Sequence, residues 1–409
     1  MNDQHTKNAS TAAAQSAVMK TYGRAELAFA SGEGCWLITE DGTRYLDCAS
    51  GIAVNTLGHS HPGLVAALRD QAGKLWHTSN LYRIPGQERV AARLAELTGL
   101  DQVYFCNSGA EANESAVKIA RRAMHERGEP DRMTILCTTG SFHGRTLGML
   151  AATDKPANRT GFGLMPDGFE HVAFGNLNAL RDRMGPHVAA VMIEPVQGEG
   201  GARDAQDEYL AGVRDAADEF GALVIADEVQ SGIGRTGTLF AYETSGIRPD
   251  IIAVAKGLGG GFPVGAVITS EAVGNAMTPG THGSTFAGNP LAMAVAEVVL
   301  DELGAPGFLE DVRRRAGILR DALQAVADRH EGAVVELRGR GFLCGVRLAE
   351  ALPAGDAVAA MRDEHLLTVP AGENTVRFLP PLVISEEEIA LAVDTFERVL
   401  GRMVAAGDG

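Results

Sequence analysis

Lys256 closes the strand-like run Asp250–Ala255 (DIIAVA) and is followed by a glycine-rich stretch, GLGGGFPVG, over residues 257–265. Upstream, a second apolar run, Ala222–Ala226 (ALVIA), ends on Asp227-Glu228-Val229-Gln230. An amine at one strand end and a carboxylate at another suit one task. The amine forms a Schiff base with an aldehyde cofactor, and the carboxylate keeps that cofactor's ring nitrogen protonated. That cofactor is pyridoxal 5'-phosphate, with Lys256 and Asp227 as the catalytic pair. Taken singly, Lys256 reads as a surface lysine and Asp227 as a helix cap. Their pairing amid this much glycine points to chemistry.

A phosphorylated cofactor needs an anion site. Ser108-Gly109-Ala110 lies between the apolar run Val103–Cys106 and a helical pattern beginning near Glu111. Such a turn offers backbone N–H groups and the positive end of a helix to an anion, although Ser-Gly is also a common plain N-cap. Nucleotide triphosphate sites compete poorly, because G-x-x-x-x-G-K-[ST] is absent and no G-x-G-x-x-G follows a strand. Phe142, in SFHGRT, is placed to stack on a ring or to fill core, and Val229 would touch the opposite ring face. Arg145 and Arg377 carry guanidinium forks suited to carboxylates. Glu199, within EPVQGEGG, can pair with an arginine and be displaced. His59-Ser60-His61 lacks a third ligand at metal spacing, so a turn before a helix is predicted there and no metal.

Strands that end together must position these groups. Val103–Cys106, Met133–Cys137, Val188–Ile193, Leu223–Ala226, Ile251–Ala255 and Ala266–Thr269 are strand candidates. Ala110–His125 and Asp207–Phe220 carry apolar residues at helical spacing. The alternation predicts an α/β domain with a mainly parallel sheet, whose sites gather at the carboxyl ends of strands. Asn107–Ala110, Phe142–Arg145, Glu194-Pro195, Asp227 and Lys256 all follow strand ends. Beyond residue 300 a long charged helix (Phe308–His330), GRGFLCGV, VRFL and a last helix from Glu386 read as a smaller α+β domain. The hairpin-like Trp36–Asp47, with its Asp41-Gly42 turn, could join it. The predicted division is an N-terminal segment 1–68, a cofactor-binding domain 69–304 and a C-terminal domain 305–409.

Bulk properties narrow the classes. The chain has 409 residues, longer than one usual domain. Its 36 basic and 52 acidic residues give a net charge of −16, which disfavours nucleic acid and anionic membranes. Five cysteines at unpatterned spacing suggest a reducing compartment, hence the cytoplasm. The first twenty residues mix charge with small side chains, predicting a loosely docked start and no signal peptide. No apolar run has the roughly 18 residues a membrane span needs.

Together the motifs resemble the class III (ornithine-type) aminotransferases of fold type I. They include YLDCASGIAVNTLGHSHP (Tyr45–Pro62), FCNSGAEANESAVKIAR (Phe105–Arg121), SFHGRT, EPVQGEGG and DEVQSGIGRTG (Asp227–Gly237). AKGLGGGFPVGA (Ala255–Ala266), HGSTFAGNPLA (His282–Ala292) and RFLPPLVISEEEI (Arg377–Ile389) complete them, so the likeness covers nearly the whole chain. The resemblance implies that Lys256 carries the Schiff base and shuttles a proton, while Asp227 holds the pyridine nitrogen protonated. It implies phosphate contacts from Ser108, Gly109 and Ala110, joined by Thr285 of the opposite subunit in a homodimer. Phe142 and Val229 would flank the ring, Gln230 would reach its phenolic oxygen, and Glu228 would stand among the cofactor contacts. Arg145, with Ser284 nearby, would bind the carboxylate distant from the reacting amine.

Such a cycle takes an ω-amine donor in one half and glutamate in the other. Glu199 would neutralise Arg377 for the first and swing aside for the second. The implied reaction moves the δ-amino group of N2-acetylornithine to 2-oxoglutarate, in arginine biosynthesis. N-succinyl-diaminopimelate and N-succinylornithine are the alternative donors. Free ornithine and 4-aminobutyrate rank behind; for ornithine, Phe142-His143-Gly144-Arg145 replaces the F-W-G-R stretch of its aminotransferases, and no aromatic is evident around Ile52–Asn55. Arg83–Gln87 and Ala287 depart from the common pattern near the substrate entrance, leaving the acyl preference open. An aminomutase or a cofactor-binding sensor on the same scaffold are the competing classes.

Overall fold

The computed structural model describes residues 17–407. The expected loose start therefore lies, up to residue 16, outside the described residues. Chain order begins with three short strands, β1 (Ser31–Glu33), β2 (Trp36–Ile38) and β3 (Arg44–Asp47), paired antiparallel. β2 and β3 are the predicted hairpin, and Asp41 organises its turn by accepting the Thr43 N–H at 3.1 Å.

The central sheet has seven strands: β4 (Gln102–Cys106), β5 (Thr134–Thr138), β6 (Phe169–Val172), β7 (Val188–Ile193), β10 (Leu223–Asp227), β11 (Ile251–Val254) and β12 (Gly265–Thr269). A small ribbon, β8 (Val196–Gln197) with β9 (Arg203–Asp204), lies between β7 and β10 in the chain. The spatial order is β4-β12-β11-β10-β7-β5-β6. Only β12 runs antiparallel to its neighbours, β11 and β4; the other pairings are parallel. β7, VAAVMI, is buried at every residue, the run expected of a parallel strand covered on both faces. All six predicted strands form, with ends displaced by a residue or so. β6 was not foreseen: FEHV is short, half-polar and sits at the sheet edge.

The helix Gly109–Glu126 buries Ala112, Ala116, Ile119, Ala120 and Ala123 toward the sheet, and Ser108 caps it by accepting the Glu111 N–H. Asp207–Phe220 ends at Gly221, whose φ of 66° favours glycine as the stop. The C-terminal segment supplies the helix Phe308–Arg329, the strands β13 (Val334–Arg340), β14 (Leu343–Leu348), β15 (Leu366–Leu367), β16 (Val369–Ala371) and β17 (Thr375–Phe378), and the helix Glu386–Gly407. β15 pairs with β3, Leu366 opposite Leu46, so the N-terminal hairpin joins the C-terminal segment as anticipated. One core cluster, including Leu46, Leu319, Phe342, Phe378 and Phe396, spans both.

Candidate active site

Parallel strands aim their carboxyl ends at one edge, and the loops leaving β5, β7, β10 and β11 meet there. They enclose a cavity of about 220 Å³ lined by Gly109, Ala110, Phe142, Arg145, Asp227, Val229, Gln230 and Lys256. Eight residues named from the sequence thus share one space. Asn113, His143, Gly144 and Glu194 line it as well. His143 and Glu194 had been noticed at strand ends without a role. Asn113 had been missed, although it lies one helical turn beyond Gly109 and so on the same face.

Lys256 has a φ of 37°, a left-handed backbone that a side chain adopts at a cost of order 1–3 kcal/mol. Among the described residues its amine has neither a hydrogen bond nor an ion pair. Burial lowers its pKa to about 8, and Arg377 adds to the fall, against the opposing pull of Glu199, Asp227 and Glu194. Asp227 is almost fully buried yet well satisfied. Its Oδ2 accepts from Asn113 Nδ2 at 2.7 Å and His143 Nδ1 at 2.8 Å, and its Oδ1 from the Val229 N–H at 3.0 Å. Burial alone would push the His143 imidazole down, but the hydrogen bond and charge of Asp227 raise it well above its ordinary value. The fixed carboxylate and its imidazole neighbour thus form a charged floor.

Gly109 opens the helix beside this floor. A Cβ there would come within 2.5 Å of Val229 Cγ1, so only glycine admits the Val229 side chain. Phe142, which also lines the cavity, is half-buried, and the exposed Arg145 guanidinium lies 5.4 Å from its ring centroid. An unpaired amine, a hydrogen-bonded carboxylate, two apolar flanks and a helix N-terminus together fit an aldehyde-bearing pyridine phosphate.

The remaining predicted residues lie elsewhere. Arg377, fully buried, pairs with Glu199 at 2.8 Å and donates to Gln230 Oε1 at 2.8 Å. Gln230 lines the cavity, so this ion pair abuts it. Burial pushes the Glu199 carboxyl up, but Arg377 and Lys256 overcome that and hold it below its ordinary value. Glu228 is not among the residues that line this cavity. Its oxygens accept from Ser231 Oγ at 2.5 Å and the Tyr242 N–H at 2.9 Å, away from the cavity. Burial carries its pKa to about 7.

Ser284 and Thr285 line a different cavity, of about 640 Å³, with His77, Tyr104 and His282. Ser284 Oγ accepts from Asn107 Nδ2 at 2.9 Å. His59, read as a turn residue, binds the buried Asp47 carboxylate at 2.8 Å. Asp47 also accepts the Ala49 and Ser50 N–H groups, anchoring a left-handed turn in which Ser50, Gly51, Ile52 and Ala53 have φ of 49–67°.

The aminotransferase class-III family matches residues 18–400. The acetylornithine aminotransferase of Mesorhizobium japonicum is 51% identical over 379 residues, covering 93% of this chain and 94% of its own. That of Brucella melitensis is 50% identical over 386 residues, covering 94% and 95%. Among solved structures, the N-acetylornithine aminotransferase of Stenotrophomonas maltophilia superposes with a TM-score of 0.82 at 37% identity, over 94% of this chain and 98% of that one. The ornithine aminotransferase of Toxoplasma gondii, with pyridoxal phosphate at partial occupancy in its active site, superposes at 0.92 with 32% identity, over 96% and 94%.

Proposed function

Since this chain belongs to the class-III aminotransferases, enzymes dependent on pyridoxal phosphate, we propose that it transfers the δ-amino group of N2-acetylornithine to 2-oxoglutarate in arginine biosynthesis. The observation that carries this reading is the pair of arginines at different depths. Arg145 is exposed at the mouth of the cavity, whereas Arg377 is buried and already neutralised by Glu199. Curated relatives at about half identity over more than nine-tenths of the chain support the acetylated donor.

The bound cofactor supplies an aldehyde for the substrate amine and a ring that draws electrons from the reacting carbon. The rest falls to the protein. The Gly109 and Ala110 N–H groups and the Ser108 cap would hold the phosphate, Asp227 would keep the ring nitrogen protonated, and Phe142 and Val229 would fix the ring plane. Gln230 would donate to the phenolic oxygen. The Lys256 amine removes the proton from the substrate carbon and returns it one position along. Arg145 binds the distant carboxylate: the α-carboxylate of N2-acetylornithine, or the γ-carboxylate of glutamate. Glu199 covers Arg377 for the first substrate and yields it to the α-carboxylate of the second.

Ser284 and Thr285, lying in a separate cavity, serve the partner of a homodimer in this reading. The exposed Trp76, Leu81, Tyr82 and Phe286 supply apolar surface for that interface. The segments 1–68 and 305–409 form a small domain beside the cofactor domain 69–304, supported by the β3–β15 pairing. Five free, buried cysteines fit a cytoplasmic setting. Among the described residues no helix is long and apolar enough to cross a membrane.

The test is a half-reaction series. The pyridoxal form is mixed with N2-acetylornithine, N-succinylornithine, N-succinyl-diaminopimelate, ornithine or 4-aminobutyrate, and the visible cofactor band is followed. N2-acetylornithine should bleach it fastest, and 2-oxoglutarate should restore it. Faster bleaching by free ornithine or 4-aminobutyrate would sink the proposal. Arg145→Ala should raise KM for N2-acetylornithine about 10–100-fold, the worth of one charge-assisted bidentate contact.

A pH series tests Lys256 separately. The neutral amine is the nucleophile, so capture of pyridoxal phosphate by the apoprotein should accelerate as pH rises and level off above about 8. An unperturbed lysine would place the midpoint near about 10.4. Stopped-flow absorbance distinguishes the two.

A further inference from the structure

The turn between β5 and the helix Leu147–Ala152 carries Phe142, His143 and Arg145 into the site. Three of its bonds come from the segment just behind it. The Gly140 N–H reaches Asp154 Oδ2 at 2.9 Å, Ser141 Oγ reaches the Ala152 carbonyl at 3.2 Å, and the His143 N–H reaches Thr153 Oγ1 at 2.9 Å. The Phe142 N–H is held from the other side, by Glu194 Oε1 at 2.8 Å. Glu194 follows β7, which pairs with β5, so its carboxyl crosses from one strand end to the next. It is 5% exposed and lines the cavity that holds Lys256 and Asp227.

We propose that Glu194 is a positioning residue for transamination: by accepting the Phe142 N–H it holds the Phe142 ring over the cofactor site and, against that ring, the Arg145 guanidinium. The inference rests on the reading of Phe142 as the stacking residue. Without an acceptor the partly buried Phe142 N–H would be left unpaired, and the turn would relieve this by rotating the peptide and tilting the ring. His143, fixed to Asp227 and Thr153, cannot follow that rotation, so the disturbance falls on Phe142. Glu194 performs this task as an acceptor, with no need of its charge. Burial lifts its carboxyl to about 8, with Asp227 adding to the rise, while His143, the bond from the Phe142 N–H and Lys256 oppose it.

The experiment compares Glu194→Gln, Glu194→Ala, Phe142→Leu and the double variant Glu194→Ala/Phe142→Leu. The readouts are pyridoxal phosphate affinity by titration of apoprotein, the induced circular dichroism of bound cofactor, and KM against kcat for N2-acetylornithine. Glu194→Ala should weaken cofactor binding about tenfold, reduce the induced dichroism and raise KM through Arg145. Glu194→Gln, which keeps the acceptor, should stay within about threefold of wild type. The double variant should bind no worse than Phe142→Leu, because the two residues act as one unit. Should Glu194→Ala not fold, Glu194→Met removes the acceptor while keeping the length. Wild-type affinity and dichroism in Glu194→Ala, beside an impaired Phe142→Leu, overturn the inference alone. A Glu194→Gln variant as impaired as Glu194→Ala overturns it too, by making charge the requirement. If Phe142→Leu binds cofactor normally, the stacking reading fails and the inference with it.

Discussion

Lys256→Ala is expected to lower kcat for N2-acetylornithine by about 10⁴-fold, the upper end of the range for loss of a positioned general acid–base. The expectation follows from the cavity's composition. Lys256 is its sole lysine, and the other basic side chains are engaged or charged: His143 is bonded to Asp227, and Arg145 is a guanidinium. The carboxyl of Glu194 is committed to the Phe142 N–H. No other group can take the proton from the substrate carbon and deliver it one position along. The same substitution should leave the fold intact, since the amine has no partner to lose. Pyridoxal phosphate should still be retained through Asp227, the helix N-terminus at Gly109 and the flanking Phe142 and Val229. Steady-state kinetics beside far-ultraviolet circular dichroism and cofactor retention on ultrafiltration make the check. A kcat within about tenfold of wild type would remove Lys256 from the chemistry.

Glu199→Gln should divide the two half-reactions. In the wild-type protein the fully buried Arg377 lies 2.8 Å from Glu199. A desolvated cation stripped of its partner costs about 3–5 kcal/mol, and Glu199 is 26% exposed, which argues for the lower end. At about 1.4 kcal/mol per tenfold, this predicts a loss of about 10²-fold or somewhat more with N2-acetylornithine, whose reacting carbon bears no carboxylate. Glutamate brings its own α-carboxylate to Arg377, so its half-reaction should be unchanged or faster. Single-turnover absorbance with each donor measures the ratio. Equal losses in both directions would mean that Glu199 maintains the fold of its loop and has no part in substrate choice.

The residues proposed to bear the chemistry were legible because their spacing reports strand ends. DIIAVA before Lys256 and ALVIA before Asp227 are too apolar to be anything but buried strands. In a parallel sheet such strands terminate on one edge, so lysine and aspartate had to meet. β7 was equally plain. β6 was not, since a four-residue edge strand with a glutamate and a histidine owes its conformation to pairing with β5 and carries little local signal. Glu228 illustrates the same limit at the scale of one side chain. Its carboxylate, next in sequence to Asp227, bonds to Ser231 Oγ and the Tyr242 N–H, partners that only tertiary packing brings to it.

By itself, then, the sequence determined the architecture and the cofactor and named the candidate reactive groups, because hydrophobic periodicity and motif order are properties of the chain read locally. The tertiary structure alone decided which groups share a space. Asn113 and His143 converge on one carboxylate from a helix and a loop that are 30 residues apart. Glu194 reaches across 52 residues to hold Phe142, and Arg377 crosses 147 to meet Gln230. Ser284 and Thr285 fall into another cavity. Such contacts depend on how separate elements pack and on which buried polar atoms must find partners, and these are settled only when the chain closes on itself.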